Sequence, residues 1–171
     1  MVTKANLGIR LILSLIGLFF ALGMPIFCGY EESYSRYYEA YPYIFGITLL
    51  ILSGGLFLHR NTEWKIPAQS LMIVALFNMY DFPVIHYSAA IVFFVGATYA
   101  MWNDKRVSYF GRISLFFYLL FVLDLIWFEL VQIILICLFH IIYIFRMYRV
   151  HFDRNIIGAL NDLENFIDKK D

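Results

Sequence analysis

The chain has 171 residues, 62% of them hydrophobic and only 15% charged, and its 13 basic side chains balance 13 acidic ones. A water-soluble domain is nearer half apolar and a quarter charged, so a soluble globular fold is excluded and a membrane protein is expected. With no net charge there is no cationic footprint for a nucleic-acid partner.

The first apolar stretch, residues 8–29, follows a basic start. Its 22 residues exceed the roughly 7–15 of a signal-peptide core and match the ~20 that cross a bilayer, so a first transmembrane helix is predicted. The next segment, "YEESYSRYYEAYPY", carries six tyrosines, the composition of an interfacial aromatic belt or of a rim for a lipid headgroup or sugar. A second span is predicted over 43–59, where Gly46, Ser53, Gly54 and Gly55 allow close helix contact without the spacing of a phosphate-binding loop.

A third span, the shortest, is predicted over 64–80, and a fourth over 84–102. Pro83 suits the first turn of that fourth helix, where its missing N–H is no loss. Asp81 precedes it, near the positive end of the helix dipole. His86 lies one turn in, beside the small residues Ala89, Ala90, Gly96, Ala97 and Ala100. The stretch "ISLFFYLLFVLDLIWFELVQIILICLFHIIYIF" is too long for one crossing. Asp124 and Glu129 interrupt it, which predicts a tight hairpin there and spans at 110–126 and 128–148. In the last span Glu129, Gln132, His140 and Tyr143 fall on one narrow stripe at about 100° per residue, either a packing seam or a polar path. Past Arg154, Ile156, Ile157, Leu160, Leu163, Phe166 and Ile167 recur at helical spacing. They predict a short amphipathic cytoplasmic helix, poor in lysine for a membrane-surface helix and so better suited to docking on a partner or a second copy.

The expected architecture is therefore all-α: a bundle of six transmembrane helices over residues 1–150 with a cytoplasmic tail over 151–171. If the N-terminus is cytoplasmic, six crossings return the C-terminus to the same side. Twelve of the 13 basic residues then fall inside and only Arg36 outside, a positive-inside bias that a wrong span count would scramble. Glu31, Glu32, Glu39, Asp81, Asp124 and Glu129 fall outside.

Asp81, His86, Asp124 and Glu129 share the outer third and are the candidate catalytic set, since a carboxylate and a histidine together can act as general acid and base. No nucleophile elbow accompanies them. A three-histidine metal centre is not expected, because His86, His140 and His59 are placed at depths differing by roughly 10 Å or more at 1.5 Å per residue. Cys28 and Cys137 read as small buried hydrophobes outside any metal-binding pair. No cofactor or metal is called for.

Phe82, Pro83, His86, Ala90, Phe93 and Phe94 in "DFPVIHYSAAIVFF", following the tyrosine-rich loop and the glycine-containing second helix, resemble a prokaryotic family of six-helix membrane proteins of unknown function. That family is distantly similar to the GPI-lipid remodelling and autophagy-modulator membrane proteins. The resemblance covers about residues 30–100. It implies six helices, lipid contact and a prokaryotic inner membrane, and brings no catalytic residues. Three functional readings follow: a non-enzymatic accessory subunit or lipid-interacting scaffold whose partners are membrane lipids and other subunits or a second copy; a lipid-modifying enzyme with the outer Asp/His site; and a small transporter or channel lined by the seam of the last helix.

Overall fold

The computed structural model describes residues 4–29, 31–59, 61–118 and 124–167, with side chains over 6–150 of these. Among them are seven α-helices and one 3-10 turn, and no strand. The helices are α1 (Lys4–Cys28), α2 (Tyr34–Ala40), α3 (Pro42–Phe57), α4 (Lys65–Leu76), α5 (Pro83–Asn103), α6 (Tyr109–Phe117) and α7 (Leu125–Ile167), and the 3-10 turn is Thr62–Trp64. Within α1, α5 and α7, the stretches Asn6–Cys28, Pro83–Asn103 and Leu125–Val150 are each long and apolar enough to cross a membrane. The other apolar helices are shorter: α3 has 16 residues, α4 has 12 and α6 has 9.

Packing runs round a ring. The helix α1 packs on α3, α3 on α4, α4 on α5, α5 on α6, α6 on α7, and α7 closes against α1, while α2 lies against α3 and α7. Glycines set the closest approaches. A Cβ on Gly111 of α6 would lie 2.6 Å from the Trp102 Cα of α5, and one on Gly55 of α3 would lie 2.6 Å from Leu13 Cδ1 of α1. At Gly111 the obstacle is backbone, so α5 and α6 pack at a distance that only glycine permits, whereas at Gly55 it is the end of the Leu13 side chain, which can turn aside.

The chain alternates between two ends. At one, Asn103 Nδ2 donates to Glu63 Oε1 at 3.0 Å, the Arg10 guanidinium lies 5.1 Å from the centre of the Tyr143 ring, and Arg146 donates to the Arg106 carbonyl. At the other, Tyr80 Oη donates to Glu39 at 2.6 Å and the Tyr34 N–H to Glu129 at 2.6 Å. Basic groups collect at the first end and acidic groups at the second.

Three predicted boundaries shift, each for a physical reason. Over 64–80 the helix stops at Leu76, because Phe77 turns extended and the Asn78 side chain takes the N–H groups of Tyr80 and Asp81 in a turn (2.9 and 2.8 Å). Pro83 then keeps Phe82 out of helical geometry. The expected hairpin at 124–129 is not there. Asp124 sits at the N-terminus of α7, where its carboxylate accepts the Ile126 N–H at 3.1 Å, and Glu129 lies inside the helix. Of the predicted span 110–126, α6 ends at Phe117 and α7 begins at Leu125, and residues 119–123 lie outside the described residues. Finally, the last span and the tail are one helix of 43 residues rather than two elements. The stretch "MYRVHFDR" loses hydropathy but contains neither Pro nor Gly to end a helix. The tail residues Ile156, Ile157, Leu160, Leu163, Phe166 and Ile167 lie on this distal part of α7, and their side chains fall outside the described ones.

Candidate functional site

The acidic end, outer in the sequence reading as the basic end is inner, holds the polar groups the sequence singles out. Pro83 starts α5 and places His86 one turn in, fully buried. His86 Nδ1 is 2.7 Å from the Phe77 carbonyl oxygen and Nε2 is 2.8 Å from Ser35 Oγ. A carbonyl only accepts, so Nδ1 carries the proton and Nε2 receives the Ser35 hydroxyl. The relay Ser35–His86–Phe77 joins α2, α5 and the unwound end of α4. Backbone that leaves the helix inside an apolar bundle needs such a partner, and His86 supplies it.

Glu129, equally enclosed, accepts the Tyr34 N–H at 2.6 Å. That is the first N–H of α2, whose own N-cap Ser33 makes no side-chain bond; a carboxylate from α7 therefore caps α2 in trans. Tyr34 Oη donates to the Ala21 carbonyl of α1. Its burial, then the neighbouring Tyr37 and Glu129, push the Tyr34 phenol well above its ordinary value. Around the rim Glu39 likewise raises Tyr80 through their hydrogen bond, and Glu32 raises Arg36 at 2.8 Å.

His86 and Glu129 thus reach adjacent residues of one short helix. Asp81 and Asp124 do not join them. Asp81 is exposed and receives the Asn78 amide at 2.6 Å, and Asp124 accepts the Ile126 N–H at the start of α7. Ser35, the hydroxyl that does meet His86, is missed by sequence reasoning because nothing local marks it among the loop's polar residues. Only the fold of α2 back over the bundle selects it.

Lower in the bundle, Gln132 is fully buried and engages Ser114 of α6 twice, through Ser114 Oγ to Oε1 at 2.5 Å and Nε2 to the Ser114 carbonyl at 3.0 Å. Thr98 of α5 meets Ser114 Oγ at 2.7 Å and Tyr118 Oη at 3.2 Å. The stripe continues to His140, whose Nδ1–H goes to the Ile136 carbonyl at 2.8 Å, and to Tyr143 beneath Arg10. Each residue of the predicted seam meets a different neighbour.

At the inner end the depth expectation for the histidines fails. The His59 and His140 rings lie 5.5 Å apart, each packed against Trp64 (5.5 and 4.4 Å). Because α7 starts at Leu125, His140 is 15 residues, roughly 22 Å, along it, close to the inner end. His86 is at the opposite end with Ser35. Among the described residues no three His, Cys, Asp or Glu side chains gather as metal ligands.

Between the two ends runs an apolar interior. A cavity of about 60 Å³ touches Arg10 and His140, and a second of about 70 Å³ touches Ser35 and Glu129. They share Leu52, Leu71, Phe93 and Ile133 as walls. Ala90, Phe94 and Glu129 also border a larger groove between α5 and α7, of about 520 Å³. Comparison with known protein families, with curated proteins and with solved structures finds no match.

Proposed function

We propose that this chain is a multi-pass membrane protein of six crossings with both termini cytoplasmic, acting as a lipid-interacting scaffold or accessory subunit in a prokaryotic inner membrane. The observation that carries the reading is the direction of the side chains. All six of the larger helices turn large apolar groups outward, among them Phe27 (77% exposed), Ile44 (61%), Leu76 (60%), Val84 (78%), Phe116 (68%) and Phe145 (59%). Their buried faces hold Arg10, Ser53, His86, Ser114, Glu129, Gln132 and His140. An apolar core enclosed by an equally apolar outer surface is what lipid accepts and water does not, and that surface includes the short helices as well as the three long ones. Segregation of cationic and acidic groups to opposite ends supports the orientation. The resemblance of residues 30–100 to a six-helix family agrees with it.

The polar residues support a structural role. Glu129 caps α2, His86 closes the end of α4, and Gln132 ties α7 to α6, so the seam favours packing over a conduit. The second reading, an outer-face enzyme, draws on one specific feature, the 2.8 Å Ser35–His86 pair whose imidazole is oriented by a backbone carbonyl. That is the geometry of a nucleophile and its base. Purification in mild detergent, followed by mass spectrometry of co-purified lipid and subunits, separates the two. The scaffold reading expects retained lipid, and an assembly that survives Ser35→Ala and loses its partner on removal of residues 155–171. Turnover of a bound lipid that Ser35→Ala abolishes without change of fold would replace it with the enzyme.

A further inference from the structure

Almost every buried polar side-chain atom outside the inner end has a partner. The buried atoms that lack one, among the described residues, all belong to a single cluster: Arg10 Nε and Nη2, His59 Nε2, Trp64 Nε1 and His140 Nε2. Their residues are each 4% exposed or less. Interiors do not leave polar groups unpaired without a cause, and five in one place on four chain segments require a common one.

The character of the atoms identifies it. His59 Nδ1 accepts the Asn61 N–H at 3.1 Å, which puts the ring proton on Nε2. Arg10 Nε and Nη2 and Trp64 Nε1 can only donate. Four donors therefore stand without acceptors, two of them on one guanidinium. His140 Nδ1–H is engaged by Ile136, leaving Nε2 as a lone acceptor beside them. Among the described residues Arg10 makes no ion pair. The described ion pair is Arg36–Glu32 at the far end, and Glu63, the nearest acid in sequence to the cluster, holds Asn61 and Asn103 instead. Arg106 adds positive charge, 6.0 Å from the Tyr143 ring that Arg10 also faces. A buried guanidinium without a counter-charge is costly. A small oxyanion meets its planar fork with two oxygens, and the unpartnered Trp64 and His59 rings pack directly on His140, 4.4 and 5.5 Å from its ring. The cavity of about 60 Å³ beside Arg10 and His140 exceeds the ~10–15 Å³ that one water needs, which leaves room for a group of several atoms.

We propose that Arg10 and His140, with His59 and Trp64 behind them, form a buried binding site for one phosphate group, His140 Nε2 accepting the proton where the ligand is hydrogen phosphate. The phosphate comes from a phospholipid headgroup or from the free ion. The site stands on the unpartnered atoms, and it rests on the lipid-interacting reading only for the lipid as source.

The test uses the full chain in a maltoside detergent free of phosphate. The unfolding midpoint is read by tryptophan fluorescence against sodium phosphate, with chloride at equal ionic strength as reference, and against micelles doped with phosphatidylglycerol or with diacylglycerol, which has the same chains and no phosphate. Phosphate or phosphatidylglycerol at ten times its Kd is expected to raise the midpoint by roughly 3–6 °C. The rise should vanish in Arg10→Met and shrink in Trp64→Phe, which keeps an aromatic ring against His140 and serves where Arg10→Met does not fold. A response to both probes assigns any phosphate, and a response to phosphatidylglycerol alone assigns the headgroup. A midpoint that neither probe moves, or a rise unchanged in Trp64→Phe and Arg10→Met, overturns the site. Equal stabilisation by the phosphate-free diacylglycerol and phosphatidylglycerol also overturns it while leaving the lipid-interacting reading standing. A phosphate response without any lipid response supports the site and removes that reading.

Discussion

His86→Ala breaks the joint between α2, α4 and α5. The imidazole holds the Phe77 carbonyl at 2.7 Å and the Ser35 hydroxyl at 2.8 Å. Ser35 can turn its hydroxyl toward another acceptor, whereas the Phe77 carbonyl is fixed and loses its partner, which costs about 1–3 kcal/mol. The emptied ring volume in a closed site adds about 1–2 kcal/mol. The expected loss is therefore about 2–5 kcal/mol. Ser35→Ala, which deletes one bond and leaves the buried Nε2 unpaired, costs about 1–3 kcal/mol. The informative quantity is their coupling. Side-chain hydrogen bonds inside membrane bundles are worth about 0.6 kcal/mol on average and up to about 1.7, so the double variant should fall short of the sum by that amount. Unfolding of the four proteins in mixed micelles, followed by circular dichroism, measures the cycle. Additivity within about 0.3 kcal/mol would mean that Ser35 and His86 do not bond, and that α2 is not docked as described.

Other substitutions have outcomes fixed by their surroundings. Gly111→Ala drives a Cβ into the Trp102 backbone of α5 and should cost about 1–3 kcal/mol. Gly54→Ala meets nothing within 4 Å and should be stabilising by up to about 1 kcal/mol through helix propensity; the same thermal melts check both signs. Glu129→Gln keeps an oxygen for the Tyr34 N–H and should cost under about 1 kcal/mol. Glu129→Leu uncaps α2 and should cost about 1.5–3 kcal/mol while raising protease cleavage within residues 31–41. Removing residues 155–171 should shift the assembly to a smaller species on size exclusion in mild detergent, and unchanged assembly would count against the tail as a docking element.

Much of the bundle was legible because hydropathy reports burial in lipid directly. The predicted spans 8–29, 43–59 and 84–102 lie within a few residues of α1, α3 and α5, and Pro83 takes the first helical position expected of it. What hydropathy does not report is whether apolar backbone stays helical. Residues 77–80 remain apolar in composition, yet the Asn78 turn ends α4 before them. The converse holds at 148–154, where polarity rises but the helix continues. Asp124 and Glu129 carry the same charge in one apolar run and were read alike, as a break. One caps α7 and the other caps α2 from a turn inside α7, a difference set by contacts 95 residues apart in sequence. The stripe Glu129, Gln132, His140 and Tyr143 followed from helical period alone. Its partners Tyr34, Ser114 and Trp64 could not, because each comes from another segment. Arg10 carries a signal of its own in the sequence, since an arginine within an apolar helix is a functional candidate by default.

The central claim is that successive helices alternate between two ends that face opposite sides of a membrane. Single cysteines in a Cys28→Ser, Cys137→Ala background, probed with a membrane-impermeant maleimide on intact cells, test it most directly. Glu32→Cys and Asp81→Cys, both at exposed positions of the acidic end, should label from outside, while Thr62→Cys and Lys105→Cys, exposed at the basic end, should label only after the membrane is opened. Labelling of Asp81→Cys and Thr62→Cys from the same side would show that α4 does not cross, and would contradict the six-crossing bundle.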